Sequence, residues 1–115
     1  MPRNYSEYFH FLQESQKKLM KELPGPMNGF AQLHKETTKE GALSTKIKEL
    51  IALGIGIAVR CDGCISYHVH DAIKSGASRE EIIETIGVAI LMGGGPSMVY
   101  GCEAMEALDQ FEDER

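Results

Sequence analysis

The chain has 115 residues, of which 43% are hydrophobic and 25% charged, with a formal net charge of −5. That length fits one domain with a modest core and leaves no room for a second, and the composition excludes a disordered chain. Its twelve Lys and Arg residues are scattered, so no basic stripe exists for a nucleic acid to release counterions against.

Met1-Pro2-Arg3-Asn4-Tyr5 carries no apolar h-region, so no secretory signal is expected and the protein reads as cytoplasmic. Asn4 to Leu23 reads as a helix. Tyr5, Tyr8, Phe9, Leu12, Leu19, Met20 and Leu23 share one face, and Asn4 with Glu7 forms a capping pair. Pro24-Gly25-Pro26 stops that helix. Phe30 to Glu40, ended by Gly41, reads as a shorter one.

Ser44 caps the next segment, which runs from Thr45 toward Arg60. Its second half, Gly54 to Val59, is apolar on every side, and periodicity alone cannot separate a buried helix from a buried strand there. The length of the unbroken run from Thr45 favours helix. The longest apolar stretch, Leu50 to Val59, is too short to span a bilayer.

Cys61 to Ser75 reads as a further helix, closed by Gly76. Ser78-Arg79-Glu80-Glu81 is a capping box with Ile82, Ile83, Ile86 and Ile90 as the apolar stripe behind it. Gly93-Gly94-Gly95 is a loop. Pro96 opens the last helix, which is expected to turn Met98, Cys102, Met105 and Leu108 inward. The acidic end, Asp109 to Arg115, reads as a solvated tail. The predicted class is all-α, a single domain of five to six helices.

The chemistry concentrates between Glu49 and His68. Three cysteines is an odd count, and Cys61 and Cys64 form C-x-x-C, which in a reducing compartment suggests redox chemistry or metal binding more than a structural staple. On a helix that turns about 100° per residue, Cys61, Cys64 and His68 share one face. A helix N-terminus favours the thiolate, the form that attacks a peroxide or disulfide, and a neighbouring imidazole can carry the proton. Taken singly, His68 would be a structural histidine and Glu49 a helix residue near the core edge. His70 is turned away from that face and reads as surface, His10 and His34 give no signal, and Cys102 reads as a small buried hydrophobe.

The joint pattern, Glu49, eleven residues, then Cys61-x-x-Cys64-x-x-x-His68, resembles the core signature of the alkylhydroperoxidase D and carboxymuconolactone decarboxylase superfamily. The similarity runs from about Leu43 to Met92. It implies an alkylhydroperoxidase D-like helical fold in which Cys64 is the attacking thiol and Cys61 the resolving one. His68 and Glu49 would form the proton relay, with a hydroperoxide or disulfide as substrate and a dithiol as electron donor. It also implies trimers or hexamers, which the apolar Gly54 to Val59 run suits. Better-studied members carry a second histidine directly before the second cysteine. Gly63 stands there in this chain, which removes a proton carrier from peroxidase turnover and leaves the dithiol chemistry untouched.

Three alternatives compete. A thioredoxin-like fold would use Ile55 to Val59 as its strand, but the chain has no Trp and no second strand signal. A zinc module would draw on Cys61, Cys64 and His68, with Glu49 or Cys102 as a fourth ligand, but it lacks a second C-x-x-C or H-x-x-x-H. The lyase branch of the same superfamily generally lacks the cysteine pair. The expectation is therefore a thiol-dependent enzyme with no cofactor, no resident metal and neither nucleic acid nor membrane as partner.

Overall fold

The computed structural model describes residues 3–114. Six helices follow one another: α1 (Tyr5–Glu22), α2 (Pro24–Thr38), α3 (Thr45–Ala58), α4 (Asp62–Lys74), α5 (Arg79–Gly93) and α6 (Gly95–Asp113). There is no strand among the described residues, so the apolar half of α3 is helix and the thioredoxin-like alternative falls.

The helix starts obey local chemistry. Asn4 accepts from the Glu7 N–H at 2.9 Å, Ser44 from the Ile47 N–H at 3.1 Å and Ser78 from the Glu81 N–H at 3.1 Å. In the last case the Glu81 side chain also returns to the Ser78 N–H at 2.8 Å, completing the capping box. Between α1 and α2 the outcome differs from expectation. Pro24-Gly25-Pro26 ends one helix and begins the next at once, with Leu23 shared as the cap. A proline lacks the N–H that the first turn of a helix does not use, so the residue that breaks α1 is well suited to open α2. The second helix therefore covers Pro24–Thr38 rather than Phe30 to Glu40.

Helix α3 lies against both α4 and α5, and α6 closes the bundle across α4 and α5. Leu53, Ile57, Ile65, Val69, Ile82 and Leu108 are wholly buried at its centre. Helix α1 packs on α4 and α6 through Tyr5 and Phe9, while Leu19 and Leu23 at its far end are 47% and 45% exposed. Helix α2 rests on α1 and α3 and buries no residue of its own.

Helix α6 turns Leu108 and, in part, Met105 inward as expected, but not Met98 or Cys102. Ser97, Gly101, Ala104, Ala107, Leu108 and Phe111 are buried, while Met98 and Cys102 are exposed. The choice follows size: a Cβ on Gly101 would sit 2.9 Å from Ile86 Cγ2, so α5 and α6 approach too closely for bulky residues. The acidic end is not a free tail. It extends α6, where Phe111 is buried and the Arg79 guanidinium pairs with Asp109 at 2.8 Å and with Glu112. Arg115, like Met1 and Pro2, lies outside the described residues. No described helix is long and apolar enough to cross a membrane.

Candidate functional site

Val59, Arg60 and Cys61 separate α3 from α4, and Arg60 is the one described non-glycine residue with positive φ, at 60°. That tight reversal brings Cys61 into the N-cap position of α4, in extended backbone. Its Sγ accepts the Cys64 N–H at 3.1 Å, so the sulfur occupies the seat an Asp or Ser oxygen usually takes at the positive end of a helix. The Sγ atoms of Cys61 and Cys64 stand at disulfide distance, with Cα atoms 5.2 Å apart. Gly56 of α3 makes room for this: a Cβ there would meet Cys64 Cβ at 3.0 Å.

One turn beyond Cys64, His68 Nδ1 lies 2.7 Å from Glu49 Oε1. Glu49 is only 3% exposed, deeper than the core-edge position its sequence suggested. A carboxylate so buried requires a partner, and the imidazole supplies it. With Glu49 ionised it can only accept, which puts the proton on His68 Nδ1 and leaves Nε2 as the basic nitrogen. Cys61, Cys64, His68 and Glu49 are thus gathered where α3 and α4 pack. Among the described residues no hydrogen bond joins Cys64 to His68.

His68 also forms part of the wall of a groove of about 680 Å³ between α2 and α3, whose other walls include Phe30, Leu33, Ile51 and Ile55. Lys48 borders the same groove, but its Nζ donates to the Lys39 carbonyl at 2.7 Å. The cysteines do not line it.

Helix α1 covers the start of the motif. Arg3 pairs with Asp62 at 3.1 Å and stacks over the Tyr8 ring at 4.2 Å. A Cβ on Gly63 would meet Leu12 Cδ1 at 3.4 Å, so the position directly before Cys64 is roofed by α1. Tyr5 anchors that roof. It is wholly buried, its hydroxyl donates to the Glu103 carboxylate, and its carbonyl accepts from Ser66 Oγ at 3.2 Å. Burial first, and Glu103 second, push the Tyr5 phenol above its ordinary range, which keeps it a donor.

Several histidine and cysteine readings need correction. His70 is half-buried rather than on the surface: its ring stacks on Phe9 at 4.1 Å, meets Phe111 edge-on, and places Nδ1 2.9 Å from Asp71 Oδ1. The apolar residues that cover it come from α1 and α6, which no spacing within α4 reveals. Cys102 is exposed because small residues claim the inner face of α6. His34, which carried no signal, comes within reach of Glu49 and Asp71, all three offering ligand atoms within 4.8 Å of one another.

Residues 24–107 match the family described as the carboxymuconolactone decarboxylase family. An uncharacterized protein of Cupriavidus necator is 35% identical over 86 residues, 75% of this chain and 76% of its own length. One of Haemophilus influenzae is 31% identical over 104 residues, 90% and 92% of the two chains. Among solved structures, a carboxymuconolactone decarboxylase family protein of Legionella pneumophila, in its apo form, superposes with a TM-score of 0.90. It shares 44% identity and covers 93% of this chain and 96% of that one. A family protein of Thermotoga maritima, described as a candidate participant in an antioxidative response, gives 0.84 at 27% identity, covering 92% and 91%.

Proposed function

Because the chain belongs to the carboxymuconolactone decarboxylase family, we propose that it is a thiol-dependent peroxidase or disulfide reductase working through Cys61 and Cys64. The observation that carries this reading is the sulfur pair at disulfide distance on the helix whose His68 is held by a buried glutamate. The antioxidative role considered for the Thermotoga protein points the same way.

In the peroxidase cycle His68 takes the Cys64 proton, and the thiolate attacks the terminal oxygen of a hydroperoxide. The O–O bond breaks, the alkoxide leaves with the proton from His68, and Cys64 becomes a sulfenic acid. The Cys61 sulfur then attacks the Cys64 sulfur, and hydroxide departs as water with the proton Cys61 gives up. A dithiol donor finally reduces the bridge and leaves as its own disulfide. Glu49 stabilises His68 while it is charged and fixes which nitrogen takes the proton.

One observation favours the opposite order of attack. The N-cap seat and the Cys64 N–H favour negative charge on the Cys61 sulfur. In the proposed order that charge makes Cys61 the better leaving group when the donor attacks Cys64.

Trapping separates the two. Cys64→Ser is expected to abolish turnover, and Cys61→Ser to stop after one round with a sulfenic acid or mixed disulfide on Cys64. An adduct trapped on Cys61 in the Cys64→Ser protein would reverse the roles. Failure of both variants to react with any hydroperoxide or disulfide, alongside an equally inert parent, would end the reading.

A further inference from the structure

Besides its bond to His68, Glu49 belongs to a second cluster, in which α2, α3 and α4 each bring one residue to a common point. His34, Glu49 and Asp71 offer ligand atoms that all lie within 4.8 Å of one another. We propose that this cluster is a binding site for a divalent first-row metal ion, separate from the cysteines, and that the ion acts as a brake on the thiol chemistry.

Three observations carry the assignment. Glu49 is 3% exposed, and its Oε1 is taken by His68 at 2.7 Å, which leaves the second oxygen as the one a metal ion would take. Asp71 is held in the same manner, its Oδ1 lying 2.9 Å from His70 Nδ1. Each carboxylate is therefore oriented by an imidazole on one oxygen, the arrangement that steadies metal-ligating carboxylates in general. Finally, neither carboxylate is ion-paired to a Lys or Arg among the described residues, and Lys48, the lysine bordering the groove, is turned to a backbone carbonyl. A cation held between the two carboxylates would relieve the repulsion of like charges this close.

The donor set of one imidazole and two carboxylates suits zinc or manganese better than a hard ion such as calcium, which prefers six or more oxygens. Metal–donor distances of about 2.0–2.2 Å require the donors to close in by roughly 1 Å. His34 can supply that movement, since α2 buries no residue.

Binding would hold the second oxygen of Glu49 and draw negative charge away from His68, slowing proton transfer without touching the sulfurs. This consequence rests on the proposed function; the site itself does not.

The test uses untagged, metal-free Cys102→Ser protein in its disulfide form, so that no thiolate can ligate. Titration with Zn2+, followed by calorimetry, is expected to show saturable binding of one ion per chain. His34→Ala and Asp71→Asn should each weaken it by at least about tenfold. His34 is exposed, so its removal leaves the fold intact. No saturable binding, or binding that both variants leave unchanged, would overturn the site. In the turnover assay, saturating Zn2+ should slow the Cys102→Ser protein and have little effect on its His34→Ala derivative. Equal inhibition of both would overturn the brake. A protein inert toward every substrate would sink the proposed function while the calorimetry still decides the site.

Discussion

In the proposed cycle Glu49 and His68 divide the work of one proton carrier, and substitutions can separate the shares. Glu49→Gln keeps the shape and can still accept from His68 Nδ1, but it cannot stabilise a charged imidazole. Turnover is expected to fall by about 100-fold, while alkylation of reduced Cys64 near neutral pH changes little. An equal loss in both assays would mean that Glu49 acts on the thiolate rather than on the relay. His68→Ala strands a carboxylate that is 3% exposed and should cost about 3 kcal/mol or more, read from the urea midpoint. The proximity of Glu49, Cys61, Cys64 and His68 was legible in the sequence because each pair is fixed by helix spacing or by one short reversal. His34 was not, since its approach to Glu49 depends on where α2 comes to rest. His70 was misread because its cover, Phe9 and Phe111, is brought from the two ends of the chain. Even the depth of Glu49 was hidden: Leu50 and Ile51 mark the nearby core, but the packing of α4 buries the carboxylate.

Among the elements, α3 and α4 depend on one absent side chain. Gly56→Ala would press a methyl against Cys64 Cβ from 3.0 Å. It is expected to cost about 1–3 kcal/mol by thermal unfolding and to slow closure of the disulfide, because the crowded atoms belong to the reacting residue. The start of α5 makes a prediction about pH. The Ser78 backbone N–H, followed by the Lys46 ammonium at 3.0 Å, holds the Glu81 carboxyl below its ordinary range. A depressed carboxyl stabilises the fold above its unfolded-state value, and that share is lost as pH falls through the folded one. Glu81→Gln should therefore flatten the loss of stability between neutral and acid pH in a urea-unfolding series. An unchanged profile would remove Glu81 from the balance. The capping signals were legible because they are local. The inner face of α6 was not, because it was chosen by the close approach of α5 to Gly101 and not by hydrophobicity.

At the scale of the whole molecule, the chain exposes more apolar surface than its class requires. Phe30, Ile55 and Val59 on the α2–α3 side are 58–68% exposed, and Leu91 and Met92 at the end of α5 reach 79% and 78%. We propose that further copies of the chain cover these faces, as in the trimers or hexamers that the sequence resemblance implies. Light scattering behind a sizing column should give a mass of at least three chains. A clean 12.7 kDa species would contradict that expectation and leave the fold untouched. The all-helical class was legible from capping and periodicity, whereas the proposed assembly rests on surfaces that a sequence pattern cannot distinguish from core. The proposed chemistry depends on Cys61 and Cys64 being a working redox pair. Its most direct test is the intact mass of reduced Cys102→Ser protein after one equivalent of an organic hydroperoxide, followed by excess dithiol. The mass should fall by two hydrogens and return with the dithiol, and Cys64→Ser should abolish the change. An unaltered mass, with both thiols still open to alkylation after the peroxide, would contradict it.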